Sequence, residues 1–302
     1  MEGVASLSIS LDEYREEKKR VVDRALDGYL PEQGGMSSEI LGAMRYSLFA
    51  GGKRLRPILC MASAEALGGS AEIVLPAACA LEMIHTYSLI HDDLPAMDDD
   101  DYRRGKPTNH KMFGEGIAIL AGDALLTEAF YLLSMTHPRV SPETGLTVIR
   151  EIATAAGFQG MVGGQVADLR AEGEAVDMER VRFIHTHKTQ ALITVSIRAG
   201  ALLAGGGSDD LDALSAYGDK VGLAFQIADD LLNVESSRAV LGKDVGSDKG
   251  RGKATYPALI GIDRSRTEMR RLVEGALADI DRFDKKAEPL RLIARFMAER
   301  KS

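Results

Sequence analysis

The stretch CALEMIHTYSLIHDDLPAMDDDD, residues 79–101, sets the problem. An apolar run that reads as a buried helix ends in six carboxylates within eleven positions, His91 to Asp101. Upstream, Leu75, Met83, Leu89 and Ile90 are interleaved with small alanines, the pattern of a helix enclosed nearly all round. Pro95 disfavours helical geometry at Leu94, so the helix is expected to stop near Asp93 and loop before Asp98. On a continuous helix residues six apart point in different directions, whereas a loop can return Asp98 to face Asp92 across a shared ion. Taken alone, such a cluster is more often a solvated acidic loop.

Helical periodicity continues outward from this segment. It predicts helices over 37–49, 54–68, 116–135, 143–158, 177–204, 209–234, 254–261, 265–281 and 287–300, while strand-like alternation is hard to find. Breaks such as GGGSDD, THPRVSPE and GSDKGRGK are too short for domain linkers, so residues 1–302 read as one all-α domain. A hydrophobic content of 45% is ample for its core. The net charge of −8 rules out a long-range basic field for nucleic acid or an anionic membrane, so any phosphate binding must be local. No uninterrupted apolar run approaches the ~18 residues that span a bilayer. The N-terminal stretch MEGVASLSISLDEYREEKKRVVDRALDGYL lacks a positive segment followed by an apolar run and reads as a charged amphipathic helix, not as an export signal. Cys60 and Cys79 sit in apolar, helix-like surroundings, as free thiols of a reducing compartment would, and a cytoplasmic location is expected.

A second acidic cluster changes the odds. FQIADDLLN places Asp229, Asp230 and Asn233 near the end of another apolar helix, with Asp229 and Asn233 on one face. Carboxylates gathered at the dry end of a bundle raise one another's pKa and destabilise the fold unless a cation neutralises them. All-oxygen ligands point to Mg²⁺ and away from zinc, and Mg²⁺ held by a few carboxylates completes its shell with substrate phosphates. Cations for such phosphates lie in several places. Lys53, Arg54 and Arg56 follow two glycines at an expected helix start, a setting that suits an anion, although the P-loop spacing is absent. Arg103 and Arg104 follow the first acidic loop, Lys188 and Thr189 lie in IHTHKTQ, and Lys243 and Lys253 flank DVGSDKGRG. Each alone reads as a solvated charge; their conjunction implies a phosphorylated substrate.

With GGKRLRP, HTYSLIHDDLPAMDDDDYRRGKPTNH, GQVADL, HKT, FQIADDLLNV and LGKDVGSDKGRGKATYPALIG in this order, the sequence resembles the short-chain trans-isoprenyl diphosphate synthases, most closely the bacterial farnesyl type. The resemblance covers nearly the whole chain. It implies an all-α fold of helices around a central cavity, a homodimer as the usual assembly, and two acidic motifs facing each other across the cavity mouth. Three Mg²⁺ ions are implied on an allylic diphosphate, held by Asp92 and Asp98 with Asp93 in support, and on the other side by Asp229 with Asp230 beside it. Arg103, Lys188 and Lys243 would bind the same diphosphate, with Lys253 closing over it. Lys53, Arg56, His85 and Arg104 would grip isopentenyl diphosphate, and Thr189 and Gln226 would face the developing carbocation. The implied reaction is ionisation of the allylic C–O bond, attack by the isopentenyl double bond and loss of a proton, which needs no Ser/His/Asp or Cys/His nucleophile.

Tyr87 and Ser88 precede Asp92 by five and four residues, so they lie ~6 to 7.5 Å below it along the helix, where a growing tail would descend. By resemblance this Tyr-Ser pair implies a stop at C15, a smaller residue than tyrosine favouring C20. Asn233 departs from the family pattern, which usually has Asp there; the amide offers an oxygen but no charge. His185 and His187 diverge by ~200° on a helix and make poor joint ligands. A C20 synthase would share the chemistry and differ in cavity depth. A terpene cyclase would not need the second diphosphate pocket. A non-catalytic partner subunit would be expected to lose residues such as Asp92, Asp98, Asp229 and Lys188, all present here.

Overall fold

The computed structural model describes residues 10–32, 35–135, 137–174, 176–241 and 255–299. Lys243, Lys253 and the last three residues, 300–302, lie outside this set. Helix α1, Leu11–Tyr29, opens on a capping box in which Ser10 accepts from the Glu13 N–H and Glu13 reaches back to Ser10. Then come α2, Ser38–Leu48, α3, Leu55–Ala66, and α4, Ala71–Asp92. After the acidic loop follow α5, Asn109–Phe113, α6, Glu115–Ser134, α7, Pro142–Ala156, and α8, Met161–Ala171. The second half holds α9, Met178–Ile184, α10, Ala191–Leu203, α11, Ser208–Leu241, α12, Tyr256–Ile260, α13, Ile262–Asp279, and α14, Glu288–Glu299.

Two helices form a central wall because they are apolar on both sides. From α3, Cys60, Met61 and Ala64 pack into a core with α2, α4 and α6, while Ile58, Leu59 and Ala62 join a second core with α11, α13 and α14. α10 divides in the same way, Leu192 and Val195 to one side and Ile193 and Ile197 to the other. The Ser63 hydroxyl donates to the Ile197 carbonyl at 2.7 Å and ties the two helices together. Both thiols, Cys60 and Cys79, are free and buried.

By length and composition alone, α4 and α6 could each cross a bilayer. α4 is instead a core helix, its most apolar window 67% buried. The corresponding window of α6 is only 39% buried, and Ile119, Leu120 and Tyr131 stand exposed on it.

The expected helices are present, with five differences, the first being that the short α5, Asn109–Phe113, lies outside every expected range. The segment read as one helix over 177–204 is interrupted by a π-helical turn, His185–Gln190, where wider backbone bonding admits an extra residue that apolar periodicity does not register. α8 was not anticipated, since its glycines and polar residues blur the pattern, and α11 runs past 234. Tyr102–Arg103 pairs antiparallel with Lys106–Pro107, a hairpin too short to alternate.

Arg54, grouped above with Lys53 and Arg56 as an anion binder, turns inward. It is 2% exposed and pairs with Asp23 and with the buried Glu82, each at 2.8 Å, and donates to the Leu48 carbonyl at 2.7 Å. Burial opposes its charge, but Glu82 and Asp23 outweigh burial and raise its pKa. Arg54→Met should strand Glu82 as an uncompensated buried carboxylate and cost roughly 3 to 5 kcal/mol in urea denaturation; a loss below ~1 kcal/mol would show that the pair does not hold α1, α3 and α4 together.

Candidate active site

The geometry starts where α4 stops. Asp93 caps the helix by donating its N–H to the Leu89 carbonyl at 3.1 Å, and the chain then turns back. The Asp98 N–H donates to the Asp92 carbonyl at 2.8 Å, which returns the far end of the acidic loop to the helix end as the Pro95 reading required. Burial pushes the Asp92 carboxyl up to about 6; Lys188 pulls it down and Asp98 pushes it up again. Asp92 and Asp98 are thus close enough to repel each other, and a cation between them would relieve the repulsion.

Asp93 takes another direction. It is 3% exposed and receives Arg103, whose Nη2 lies 2.6 Å and Nε 2.7 Å from Asp93 Oδ1. A neighbouring residue takes the opposite course, because the hairpin turns at Arg104 and Gly105 with φ of 53° and 75°, the two positive values of a type I′ turn. The arginine doublet is therefore split: Arg103 faces the acidic loop, and Arg104 bonds the Gly51 carbonyl on the GGKRLRP loop. The hairpin is moored to α2 by Tyr46, which donates to the Pro107 carbonyl at 2.8 Å, and by Asn109, which donates to the Ala43 carbonyl at 2.8 Å. Among the described residues, Arg54, Asp99 and Arg104 are the non-glycine residues with left-handed backbone, and all three lie on the loops that frame the site.

The π-helical turn presents Lys188 to the same loop. Its ammonium pairs with Asp168 of α8 at 2.6 Å; burial opposes the charge, but Asp168, Asp92 and Asp98 together raise its pKa. Asp168, within the GQVADL motif, was assigned no role from sequence. The half-buried Thr189 follows on this turn. His185 and His187 diverge as expected: the first is buried against Tyr256, rings 5.4 Å apart, and the second stacks on Phe183 at 3.9 Å.

In the second acidic motif, Asp229 is half-buried and Asp230 is 4% exposed. Asp230 accepts the Tyr256 N–H at 3.0 Å and lies 3.6 Å from His185 Nε2, so it ties α11 to the start of α12 and to the π-helical turn. Gln226 leans toward Asp230 at 3.5 Å, and Asn233 is exposed.

A cavity of about 630 Å³ opens at the GGKRLRP loop. Lys53, Arg56, His85 and Arg104 line it together with Phe225 and with Phe296 and Met297. The latter pair, from α14, carried no sequence signal beyond helical periodicity. Burial pushes Arg56 down to about 10, with Glu82 and Asp229 pulling up and Arg104 pushing down, and its Nε is buried with no hydrogen-bond partner. Burial, then Arg56 and Arg104, hold His85 neutral, well below the usual histidine range. Crowded cations with an unsatisfied donor form a setting that an anion would complete. Arg56 on α3 thus lies within electrostatic reach of Asp229 on α11 and of His85 on α4.

Gly52, at φ 122°, lets Arg104 approach: a Cβ there would meet Arg104 Nη1 at 2.6 Å. Gly52→Ala should displace that guanidinium and weaken binding of inorganic pyrophosphate about tenfold in calorimetric titration, or ~1.4 kcal/mol. An unchanged Kd would remove Arg104 from the anion site.

Comparison with known proteins agrees with this layout. The polyprenyl synthetase family profile matches residues 37–292. The chain is 49% identical to a geranylgeranyl diphosphate synthase of Cyanophora paradoxa over 95% of each chain. It is 44% identical to a farnesyl diphosphate synthase of Geobacillus stearothermophilus, covering 97% of this chain and 98% of the relative. Among solved structures, an FPP/GFPP synthase from Zymomonas mobilis superposes with a TM-score of 0.85 at 39% identity, over 95% of this chain and 98% of that one. Match length, identity and shared helical architecture together place the chain in the polyprenyl synthetase family, as a prenyltransferase of the short-chain isoprenyl diphosphate synthase type.

Proposed function

We infer that this prenyltransferase condenses isopentenyl diphosphate with dimethylallyl and then geranyl diphosphate and releases mainly farnesyl diphosphate. The observation that carries the C15 reading is Tyr87, 7% exposed on α4 below Asp92, its phenol pushed up to about 12 by burial and by Asp92. A ring held there would close the space into which a prenyl tail grows. The half-buried Ser88 beside it donates its hydroxyl to the His85 carbonyl at 2.9 Å and adds little bulk. Similarity to a relative named geranylgeranyl diphosphate synthase supports a second reading, a C20 product from the same site with a deeper floor.

Asp92, Asp98 and Asp229 are the carboxylates we assign to three Mg²⁺ ions, with Asp93 and Asp230 acting mainly through the partners that hold them. The donor set fits by its chemistry: it is all oxygen, the ligand type of Mg²⁺, an ion held by one or two carboxylates with substrate phosphates completing its shell. When bound, Mg²⁺ supplies Lewis-acid stabilisation of charge on departing pyrophosphate. Lys188 and Arg103 add fixed positive charge at the allylic diphosphate, preorganised by Asp168 and Asp93, a role we extend to Lys243 and Lys253 by motif. Lys53, Arg56, His85 and Arg104 orient isopentenyl diphosphate so that its double bond meets the allylic C1. The oxygens of Thr189 and Gln226 face the positive charge, and apolar walls keep water from capturing it. The proton passes to released pyrophosphate.

We also assign the working form as a cytoplasmic homodimer. Exposed Ile119, Leu120 and Tyr131 on α6 and Leu146 on the adjoining α7 offer an apolar face that a second copy would cover.

Incubating the protein with isopentenyl diphosphate and each of the C5, C10 and C15 allylic diphosphates should give Mg²⁺-dependent chains ending mainly at C15, lost on chelation. Asp92→Ala or Asp229→Ala should lower kcat by on the order of 10² to 10³, and Tyr87→Ala should extend the product to C20. A Tyr87→Ala variant that still stops at C15 would reject Tyr87 as the floor. Leu120→Glu should shift the mass from dimer to monomer in light scattering; an unaffected mass would place any interface elsewhere.

A further inference from the structure

Tyr87 does not stand alone on α4. One turn along, His91 meets it edge to face, ring centroids 5.7 Å apart and planes at 81°. His91 Nε2 in turn lies 3.0 Å from the Ile119 carbonyl of α6. A carbonyl only accepts, so that nitrogen carries the proton and the ring's orientation is set by a neighbouring helix.

The seat for this ring is cut into α6 at Gly122. A Cβ there would come within 2.2 Å of His91 Nε2 and 2.6 Å of its Cδ2. Glycine inside a helix is destabilising relative to alanine, and Gly122 sits well within α6. Room for the imidazole is the reason the structure offers for it. The chain of contacts therefore runs from α6 through His91 to the ring below Asp92, and none of the groups assigned to phosphate or metal takes part.

We propose that His91 is a positioning residue for product length: seated on Gly122 and the Ile119 carbonyl, it backs the Tyr87 ring and sets the depth at which the growing chain is stopped. This rests on the reading of Tyr87 as the floor. α6 thereby gains a part in specificity although it supplies no group to the substrates.

The test compares the C20 to C15 product ratio, from geranyl and isopentenyl diphosphates with Mg²⁺, for the unaltered protein, Gly122→Ala, His91→Ala, the double variant and Tyr87→Ala. Gly122→Ala should unseat His91 and raise the ratio about 2- to 10-fold, the worth of one aromatic contact, with KM for isopentenyl diphosphate unchanged. His91→Ala should raise it similarly, and the double variant should go no further than His91→Ala, because the clash partner is gone. His91→Gln, which can still donate to Ile119 but has no ring, should also lengthen the product and guards against a folding defect in the alanine variants. If Tyr87→Ala lengthens the product while the Gly122 and His91 variants keep the original ratio, the buttress is refuted and the floor survives. If His91→Gln keeps the original ratio, the tie to α6 rather than the ring matters and the proposal fails. If Tyr87→Ala itself leaves C15 unchanged, floor and buttress fall together.

Discussion

Carboxylates that repel one another must be brought together and kept there, and the end of α4 does this with backbone rather than side chains. Once the helix stops at Asp92, the Asp98 N–H finds the Asp92 carbonyl and closes a loop that sets two acidic residues at one place. A half-buried Asp92, pushed up to about 6 first by desolvation, carries a cost that Lys188 only partly relieves. The protein tolerates that cost because two apolar half-cores, divided by α3 and α10, hold the helix ends in place. A cation delivered with a phosphorylated substrate would relieve it.

Cations around this centre are kept apart by an equally local device. A two-residue turn sends Arg103 to Asp93 and Arg104 to the glycine loop, so adjacent residues serve two different anion settings. Salt bridges then fall into two groups by what they leave available. Arg54 is consumed by Asp23 and Glu82 and joins three helices, whereas Lys188 is held by one carboxylate and still acts on Asp92. Arg56, short of a partner at Nε, marks where charge is left for a ligand.

Much of this was legible in sequence because it depends on short-range rules. The end of α4 follows from proline three residues beyond it, the enclosed character of α4 from alanines among larger apolar residues, and the opposed directions of His185 and His187 from helical pitch. What local rules miss is also physical. The π-helical turn has no apolar signature of its own, and the hairpin carrying Arg103 and Arg104 is too short to alternate. Arg54 looks like its neighbours until Glu82, from a different helix, is seen beside it.

The sequence by itself determined most of the helices, the acidic end of α4, the position of the second acidic motif on an apolar helix and the family, since periodicity, breakers and motif order are properties of neighbouring residues. Only the tertiary structure decided which charges face a ligand and which face each other. Asp93 turns to Arg103, Asp230 to the Tyr256 N–H, Lys188 to Asp168, and His91 to a glycine notch on α6. These choices depend on distances between helices far apart in the chain, and Coulomb energy and hydrogen bonding depend on those distances rather than on position in the sequence.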